Sequence, residues 1–214
     1  MIKPRSAFMV NEDFFENSRR RRSALNRSII PGRYGNITFK GPGVFLTERH
    51  PISIIQIETI KEKNLSALNN LSKCLEIVFS EEPNLSNGDK GLRILWTGPG
   101  RWLIVEPETR DLFKTVVNEL ERRSVAITDL SHGRTSLRLS GQDSRELLMK
   151  GSGLDWHLNA FTQNNCAQTK LFNLSALIDC RDYDTFDLYI ARGFALDFWQ
   201  SLNEAAEEFG CEVY

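Results

Sequence analysis

Isoleucines alternate with polar side chains over residues 51–58, and this period of two predicts a strand with one largely buried face. Asn64 is a residue type favoured at helix N-caps. Beyond it, leucines and Val78 recur at spacings of three and four. That spacing places one apolar stripe on a helix that ends near Ser80. The pattern therefore predicts a strand followed by an amphipathic helix.

A tight turn divides the next apolar stretch into two short runs. Residues 92–97 and 101–106 flank Gly98-Pro99-Gly100, a composition and spacing that predict an antiparallel hairpin. Pro107 suits the first turn of the helix that follows, and residues 125–130 return as a strand. The order over this part of the chain is β-α-β-β-α-β.

The second half of the chain follows a similar order, in a unit of about the same length. It predicts strands at 135–139, 166–172, 174–179 and 186–190, a helix at 141–150 closed by Gly151, a helix that stops at Gly210, and an extended tail at 211–214. We therefore predict an α+β fold with two ferredoxin-like βαββαβ-type units, at residues 51–131 and 132–214. Together they form one compact domain, preceded by an extended basic N-terminal arm and loop at residues 1–50.

Charge is distributed unevenly, although the net charge is −1. Residues 1–40 carry nine Lys or Arg against three Asp or Glu, so this arm is at +6 and the rest of the chain at −7. The run of four arginines at 19–22 lacks the interleaved aromatic residues and the helical pattern of a nucleic-acid-binding element. A nucleic-acid-binding module is therefore the lowest-ranked alternative, and we expect the arm to dock on an acidic partner surface instead.

The composition favours an ordinary soluble protein, with 214 residues, 41% hydrophobic and 26% charged. No apolar run approaches the roughly 20 residues needed to cross a bilayer, and the first ten residues lack the apolar stretch of a signal peptide. Four cysteines lie far apart without a CxxC pair, so they indicate neither a zinc site nor a disulfide framework. We therefore expect a cytoplasmic protein with no membrane contact.

The sequence offers few candidates for catalysis. Gly98-Pro99-Gly100 lies between two predicted strands and Lys150-Gly151-Ser152-Gly153 follows a helix, so neither forms the strand-to-helix turn that binds a dinucleotide. Asp129-Leu130-Ser131-His132 brings an acid, a hydroxyl and an imidazole together in sequence, but on a strand they project to different faces. His50 and His157 are isolated. We predict no catalytic, cofactor-binding or metal-binding residue in this chain.

Three stretches resemble one known family. Trp96-Thr97-Gly98-Pro99-Gly100-Arg101-Trp102-Leu103 resembles the W-x-G-P-x-x-W-L signature of the gamma subunits of heterotetrameric sarcosine oxidase. Asp129-Leu130-Ser131-His132-Gly133-Arg134 is similar to the same family's D-L-S-H-G-R segment, and Lys150-Gly151 with Leu154-Asp155 to its K-G-x-x-L-D segment. Arg22-Ser23-Ala24-Leu25 resembles its R-S-P-L, with alanine in place of proline.

The resemblance implies a fold and a function. Gamma subunits are similar to the folate-binding aminomethyltransferases, whose fold contains duplicated ferredoxin-like units. The enzyme demethylates sarcosine to glycine with oxygen as acceptor, and the methyl carbon passes to tetrahydrofolate or leaves as formaldehyde. Its partner subunits hold the cofactors: alpha carries NAD and the folate module, beta carries FAD, FMN lies between them, and delta holds zinc. Gamma is then a structural subunit that lies against the folate-handling part of alpha.

Eight residues are candidate contacts with the alpha, beta and delta subunits. They lie in the arm, at the hairpin tip and in the D-L-S-H-G-R segment: Arg20, Arg21, Arg22, Leu25, Arg101, Trp102, His132 and Arg134. Two alternatives stay open besides nucleic-acid binding. One is the equivalent subunit of an N-methyl amino acid dehydrogenase such as N-methylglutamate dehydrogenase. The other is a free-standing folate-dependent aminomethyltransferase, which would need a pocket carboxylate.

Overall fold

The computed structural model describes residues 22–59, 65–89, 91–120 and 124–214. These residues form twelve strands: β1 (Gly32–Tyr34), β2 (Val44–Glu48), β3 (Ile52–Thr59), β4 (Ser86–Gly88), β5 (Arg93–Gly98), β6 (Arg101–Pro107), β7 (Val125–Asp129), β8 (Arg134–Ser140), β9 (Cys166–Leu171), β10 (Leu174–Asp182), β11 (Thr185–Ala191) and β12 (Cys211–Val213). They also form four α-helices: α1 (Asn69–Leu75), α2 (Leu112–Glu119), α3 (Ser144–Gly151) and α4 (Ala195–Ala206).

The strands are divided between two sheets. The first sheet has five strands in the order β4-β5-β6-β3-β7, and the second has seven in the order β1-β12-β2-β8-β11-β10-β9. Neighbouring strands are antiparallel except β12 and β2, which are parallel. The chain crosses from the second sheet to the first between β2 and β3, and returns between β7 and β8.

The two sheets pack face to face with helices on both outer surfaces. On β3, Ile52 and Ile54 contact the second sheet, whereas Ile55 and Ile57 pack with α1 and α2. This alternation follows from the two-residue period of a strand. Helices α3 and α4 cover the far face of the second sheet. The result is a four-layer arrangement, helices, sheet, sheet, helices, with an inner layer between the sheets.

Most predicted strands are present, including the hairpin of β5 and β6, which pairs Trp96 with Trp102. Two helix predictions were wrong in detail. Helix α1 ends at Leu75, because Glu76 adopts a left-handed conformation that closes it, and Val78 beyond the end is 68% exposed. Pro107 ends β6, and helix α2 begins at Leu112.

Part of the predicted arm belongs to the second sheet. β1 pairs with β12, and β2 lies between β12 and β8, so residues 32–48 are not simply an extended loop. Leu25 is fully buried in the core of the same sheet. The arginines at positions 19–21 lie outside the described residues. Within the described ranges, no helix is long and apolar enough to cross a bilayer.

Candidate functional site

The tip of the β5–β6 hairpin is held by its glycines and by a buried tryptophan. Gly100 has a positive φ of 67°, and a Cβ there would lie 2.5 Å from the Thr59 hydroxyl oxygen, so this position requires glycine. The Trp102 indole is 1% exposed, stacks edge-on against Phe79, and donates from Nε1 to the Ser80 carbonyl at 2.7 Å. Trp102 is therefore a core residue.

Arg101, on the same hairpin, has its partner within the chain. Its guanidinium donates to both carboxylate oxygens of Glu58 on the neighbouring strand, at 2.8 and 3.1 Å. This ion pair is exposed and holds the pKa of Glu58 below its ordinary value through the hydrogen bond from Arg101. An exposed pair of this kind contributes little to stability, but it leaves Arg101 on the surface.

The segment 129–134 forms the turn by which the chain leaves the first sheet. The Asp129 carboxylate accepts from the Ser131 backbone N–H at 2.9 Å, and the Ser131 hydroxyl accepts from the Ile54 N–H at 2.9 Å. His132 is exposed. The structure records no hydrogen bond between Ser131 and His132, so the acid, hydroxyl and imidazole do not form a relay. Asp129 and Ser131 satisfy backbone groups of the turn, as the sequence predicted.

Both crossings between the sheets meet at one pocket on the rim of the inner layer. We call it the rim pocket. It is lined by Glu48, Arg49, His50, Ile52, Ser131, Arg134, Thr135, Ser136 and Arg192. Arg134 opens β8 and lies across from Ala191, and the Arg192 backbone N–H donates to the Gly133 carbonyl at 2.9 Å. Burial lowers the pKa of the Arg134 guanidinium. The pocket is rich in positive charge.

The inner layer contains a buried ion pair that joins the two sheets. Arg93 on β5 donates to both oxygens of Asp179 on β10, at 2.6 and 3.0 Å, and the two residues are 2% and 0% exposed. The Ser86 hydroxyl donates to Asp179 and accepts from Arg93. Burial opposes the charge on Arg93, but hydrogen bonding and attraction to Asp179 outweigh it and raise the pKa of Arg93.

A second buried carboxylate lies nearby on β11. Asp187 accepts two hydrogen bonds from Arg138 at 2.8 and 2.9 Å and one from Arg49 at 2.7 Å. Arg181 lies 3.7 Å from Asp187 and 3.8 Å from Asp179. We call these residues, with Arg93 and Ser86, the inner cluster. Sequence reasoning missed it, although an aspartate inside each of two strongly apolar strands was the available signal.

Burial deactivates three of the four thiols. Cys166, Cys180 and Cys211 are buried, and burial raises the pKa of Cys166 to about 12, that of Cys180 to about 11 and that of Cys211 to about 12. Thiols with raised pKa values are poor nucleophiles near neutral pH. In the described part of the chain, no group of three His, Cys, Asp or Glu is arranged to hold a metal ion.

The candidate contact residues lie in different environments. Arg22, Arg101 and His132 are exposed, and Arg134 is half-buried in the rim pocket. Leu25 and Trp102 are buried within the chain, so their side chains cannot anchor a partner, and that part of the sequence prediction was wrong. Both are large apolar side chains that gain more from the core of this chain than from a surface. Arg20 and Arg21 lie outside the described residues.

Comparison with known proteins decides the family. The profile of the sarcosine oxidase, gamma subunit family matches residues 72–208, which is more than half of the chain. The chain belongs to the sarcosine oxidase gamma subunit family. A sarcosine oxidase subunit gamma from Corynebacterium sp. (strain P-1) is 34% identical over 89 residues, which cover 42% of this chain and 44% of that relative. One from Arthrobacter sp. gives the same identity and coverage. Less than half the length of these relatives is therefore aligned.

Solved structures agree with this family in fold. A chain of the heterotetrameric sarcosine oxidase from Corynebacterium sp. U-96, in complex with pyrrole 2-carboxylate, superimposes with a TM-score of 0.76 at 21% identity, covering 88% of this chain and 96% of that one. The glycine cleavage system aminomethyltransferase T from Bartonella henselae gives a TM-score of 0.62 at 15% identity, covering 89% and 58%. The α+β, aminomethyltransferase-like fold predicted from the sequence is confirmed.

Proposed function

We propose that this gamma-family chain is the accessory subunit of a heterotetrameric sarcosine oxidase, which oxidatively demethylates sarcosine to glycine. The family match over residues 72–208 carries this proposal. The likeness to a chain of the heterotetrameric enzyme over 96% of that chain's length supports it. Its partners are then the alpha, beta and delta subunits, chiefly the folate-handling part of alpha.

The chain contributes structure to this complex and no chemistry. In support, Ser131 and Asp129 are used in a turn and the three buried thiols have raised pKa values. Asp111 and Asp129 line an open groove beside α2. A free-standing aminomethyltransferase would need a free carboxylate in its pocket. However, Asp111 caps the helix by accepting from the Lys114 N–H, and Asp129 accepts from Ser131.

Neither Gly98-Pro99-Gly100 nor Gly151-Ser152-Gly153 is placed as a dinucleotide-binding turn. A Rossmann-type dinucleotide site has a glycine-rich turn that leads from a strand into a helix N-terminus. Here Gly98-Pro99-Gly100 joins two antiparallel strands, and Ser152 and Gly153 follow helix α3. FAD, FMN, NAD, tetrahydrofolate and zinc are accordingly assigned to the partner subunits. The free thiols at all four cysteines suit a cytoplasmic location.

Co-purification tests the proposal. The tagged full-length chain is purified from its native cell, and its absorption spectrum, its companion chains and its turnover of sarcosine are measured. We expect a yellow complex with three companion chains, because flavins absorb in the visible range, and sarcosine-dependent oxygen consumption. A colourless chain recovered alone would contradict the proposal. N-methylglutamate serves as the comparison substrate, and a preference for it would assign the complex to another enzyme.

The arginine-rich N-terminal segment is proposed to strengthen assembly by contacting acidic surface on a partner. Deleting residues 1–21 should lower the recovery of companion chains and leave the fold intact. The deletion should not extend to residue 30, because Leu25 is buried in the core and the Ser23 hydroxyl donates to the Glu48 carboxylate at 2.6 Å. Unchanged recovery of the complex would remove this role from the segment.

A further inference from the structure

The rim pocket contains positive charge that this chain does not neutralise. The guanidinium groups of Arg134 and Arg192 make no ion pair and no hydrogen bond with any other residue in the described ranges, although both are partly buried. Burial lowers the pKa of the Arg134 guanidinium, and no neighbouring carboxylate raises it. A partly buried guanidinium that makes no ion pair is unfavourable unless an anion binds it.

The other charged groups of the pocket are already engaged. Arg49 reaches inward and donates to Asp187 at 2.7 Å. The Glu48 carboxylate, which also lines the pocket, accepts from the Ser23 hydroxyl at 2.6 Å and forms no ion pair with Arg134 or Arg192. The uncompensated charge therefore comes from Arg134 and Arg192, on the side of the pocket formed by β8 and the end of β11.

A buried hydroxyl in the same pocket also lacks a partner. Ser136 is 1% exposed, and its Oγ has no hydrogen-bond partner in the described structure. Buried polar groups are almost always hydrogen-bonded, either to protein or to ordered water. The pocket has room for one group of about the size of a water molecule. That space fits a carboxylate oxygen arriving from outside, and it excludes a whole organic cofactor.

Exposed apolar surface lies beside the pocket. Phe194 and Leu196 follow Arg192 directly and are 53% and 54% exposed. The turn that carries them is fixed against the 129–134 turn by the hydrogen bond from the Arg192 N–H to the Gly133 carbonyl. Two arginines beside exposed large apolar side chains are the composition enriched at the centres of protein interfaces.

We propose that the rim pocket receives an acidic side chain from another chain of the complex, whose carboxylate is bound by Arg134, Arg192 and the Ser136 hydroxyl. The apolar neighbours of that carboxylate pack on Phe194 and Leu196. This inference rests on the proposed function, because it requires the chain to be part of an assembly. It specifies which surface is buried there and what chemistry meets it.

Carbodiimide cross-linking within the purified complex tests the inference. Arg134→Lys places a primary amine in the pocket, and a carbodiimide joins an amine to a carboxylate only when the two are in contact. We expect mass spectrometry to find the lysine introduced at position 134 coupled to an aspartate or glutamate of a partner subunit. Arg110→Lys is the positive control, because Arg110 pairs with Glu106 of its own chain at 2.9 Å, so the reaction there is internal.

Two other results of the cross-linking experiment would overturn the inference. Coupling of position 134 to Glu12, Asp13 or Glu16 would mean that the chain's own N-terminal segment fills the pocket. The absence of coupling in a complex in which position 110 does react would mean that no carboxylate lies there. Failure of the proposed function looks different, since the unaltered tagged chain would then recover no companion chains at all.

A second variant keeps the test independent of the cross-linking chemistry. Arg134→Ala combined with Arg192→Ala should reduce the recovery of companion chains by about tenfold or more, since loss of a bound charge pair at an interface typically costs that much affinity. The matched control is Arg110→Ala, which removes an exposed arginine whose partner, Glu106, belongs to this chain. Equal recovery of companion chains with the double variant and with the control would count against the inference.

Discussion

The inner cluster and the rim pocket differ in whether their arginines form ion pairs within the chain. In the inner cluster, Arg93 and Asp179 are almost completely buried and each satisfies the other with two hydrogen bonds. In the rim pocket, Arg134 and Arg192 are partly buried and form no ion pair with any described residue. Charge within the fold is paired by the fold. The charge left unpaired at the edge of the fold is the feature to which we assign a contact outside the chain.

The two regions should respond differently to mutation, because they serve different purposes. The inner cluster connects β5 of the first sheet to β10 of the second and so fixes how the sheets pack. The rim pocket lies where the chain passes between the two sheets. Backbone and hydroxyl hydrogen bonds hold the turn there, so the turn does not depend on the arginine charges. Stability should depend on the first region and assembly on the second.

The largest effect is expected for Asp179→Asn. This change leaves the buried guanidinium of Arg93 without its counter-charge, and breaking a buried pair in this way costs about 3–5 kcal/mol. Urea unfolding of the purified chain, followed by circular dichroism, measures the loss. The control is Glu58→Gln, which breaks an exposed ion pair and should leave the unfolding midpoint close to that of the parent chain. Equal effects of the two variants would show that the inner cluster does not stabilise the packing of the sheets.

A smaller loss is expected for Ser86→Ala. The hydroxyl bridges Arg93 and Asp179, but the direct bonds between those two side chains survive its removal. A buried hydrogen bond to a charged group contributes about 1–3 kcal/mol, and the same unfolding experiment should resolve that difference. If Ser86→Ala destabilises as much as Asp179→Asn, the hydroxyl rather than the ion pair organises the cluster.

The smallest effect on stability is expected for Arg134→Met. Methionine keeps an apolar stem of similar length and removes a charge that the chain does not pair, so the free energy of unfolding should change by less than about 0.5 kcal/mol. Recovery of companion chains from the cell should nevertheless fall. A large loss of stability in the isolated chain would show that Arg134 serves the fold, and the contrast between the two regions would disappear.

The hairpin could be predicted because its signals are local. Gly98-Pro99-Gly100 marks the turn, and the flanking runs pair across it without help from the rest of the chain. Strands β1 and β2 were missed because their neighbours, β12 and β8, are far away in sequence. Short segments of that kind become strands only when a distant partner supplies the other half of the ladder.

The candidate site was predictable only in part, for the same reason. The motif that ends in Arg134 could be recognised from the sequence, but Arg192 and Ser136, which complete its pocket, are not part of that motif. The structural role of Ser131 became visible only in the fold, where its hydroxyl accepts from the Ile54 N–H. Trp102 was misplaced because a tryptophan beside a hairpin tip has the same sequence pattern whether it faces the core or a partner. Burial separates these two cases.

Turnover of sarcosine by the purified chain, alone and within its complex, tests the central claim most directly. We propose that this gamma-family chain supplies a folded surface and none of the oxidising machinery. Oxygen consumption with sarcosine should therefore be absent for the chain alone and present in the complex that it pulls down. Sarcosine-dependent oxygen consumption by the isolated, flavin-free chain would contradict the account.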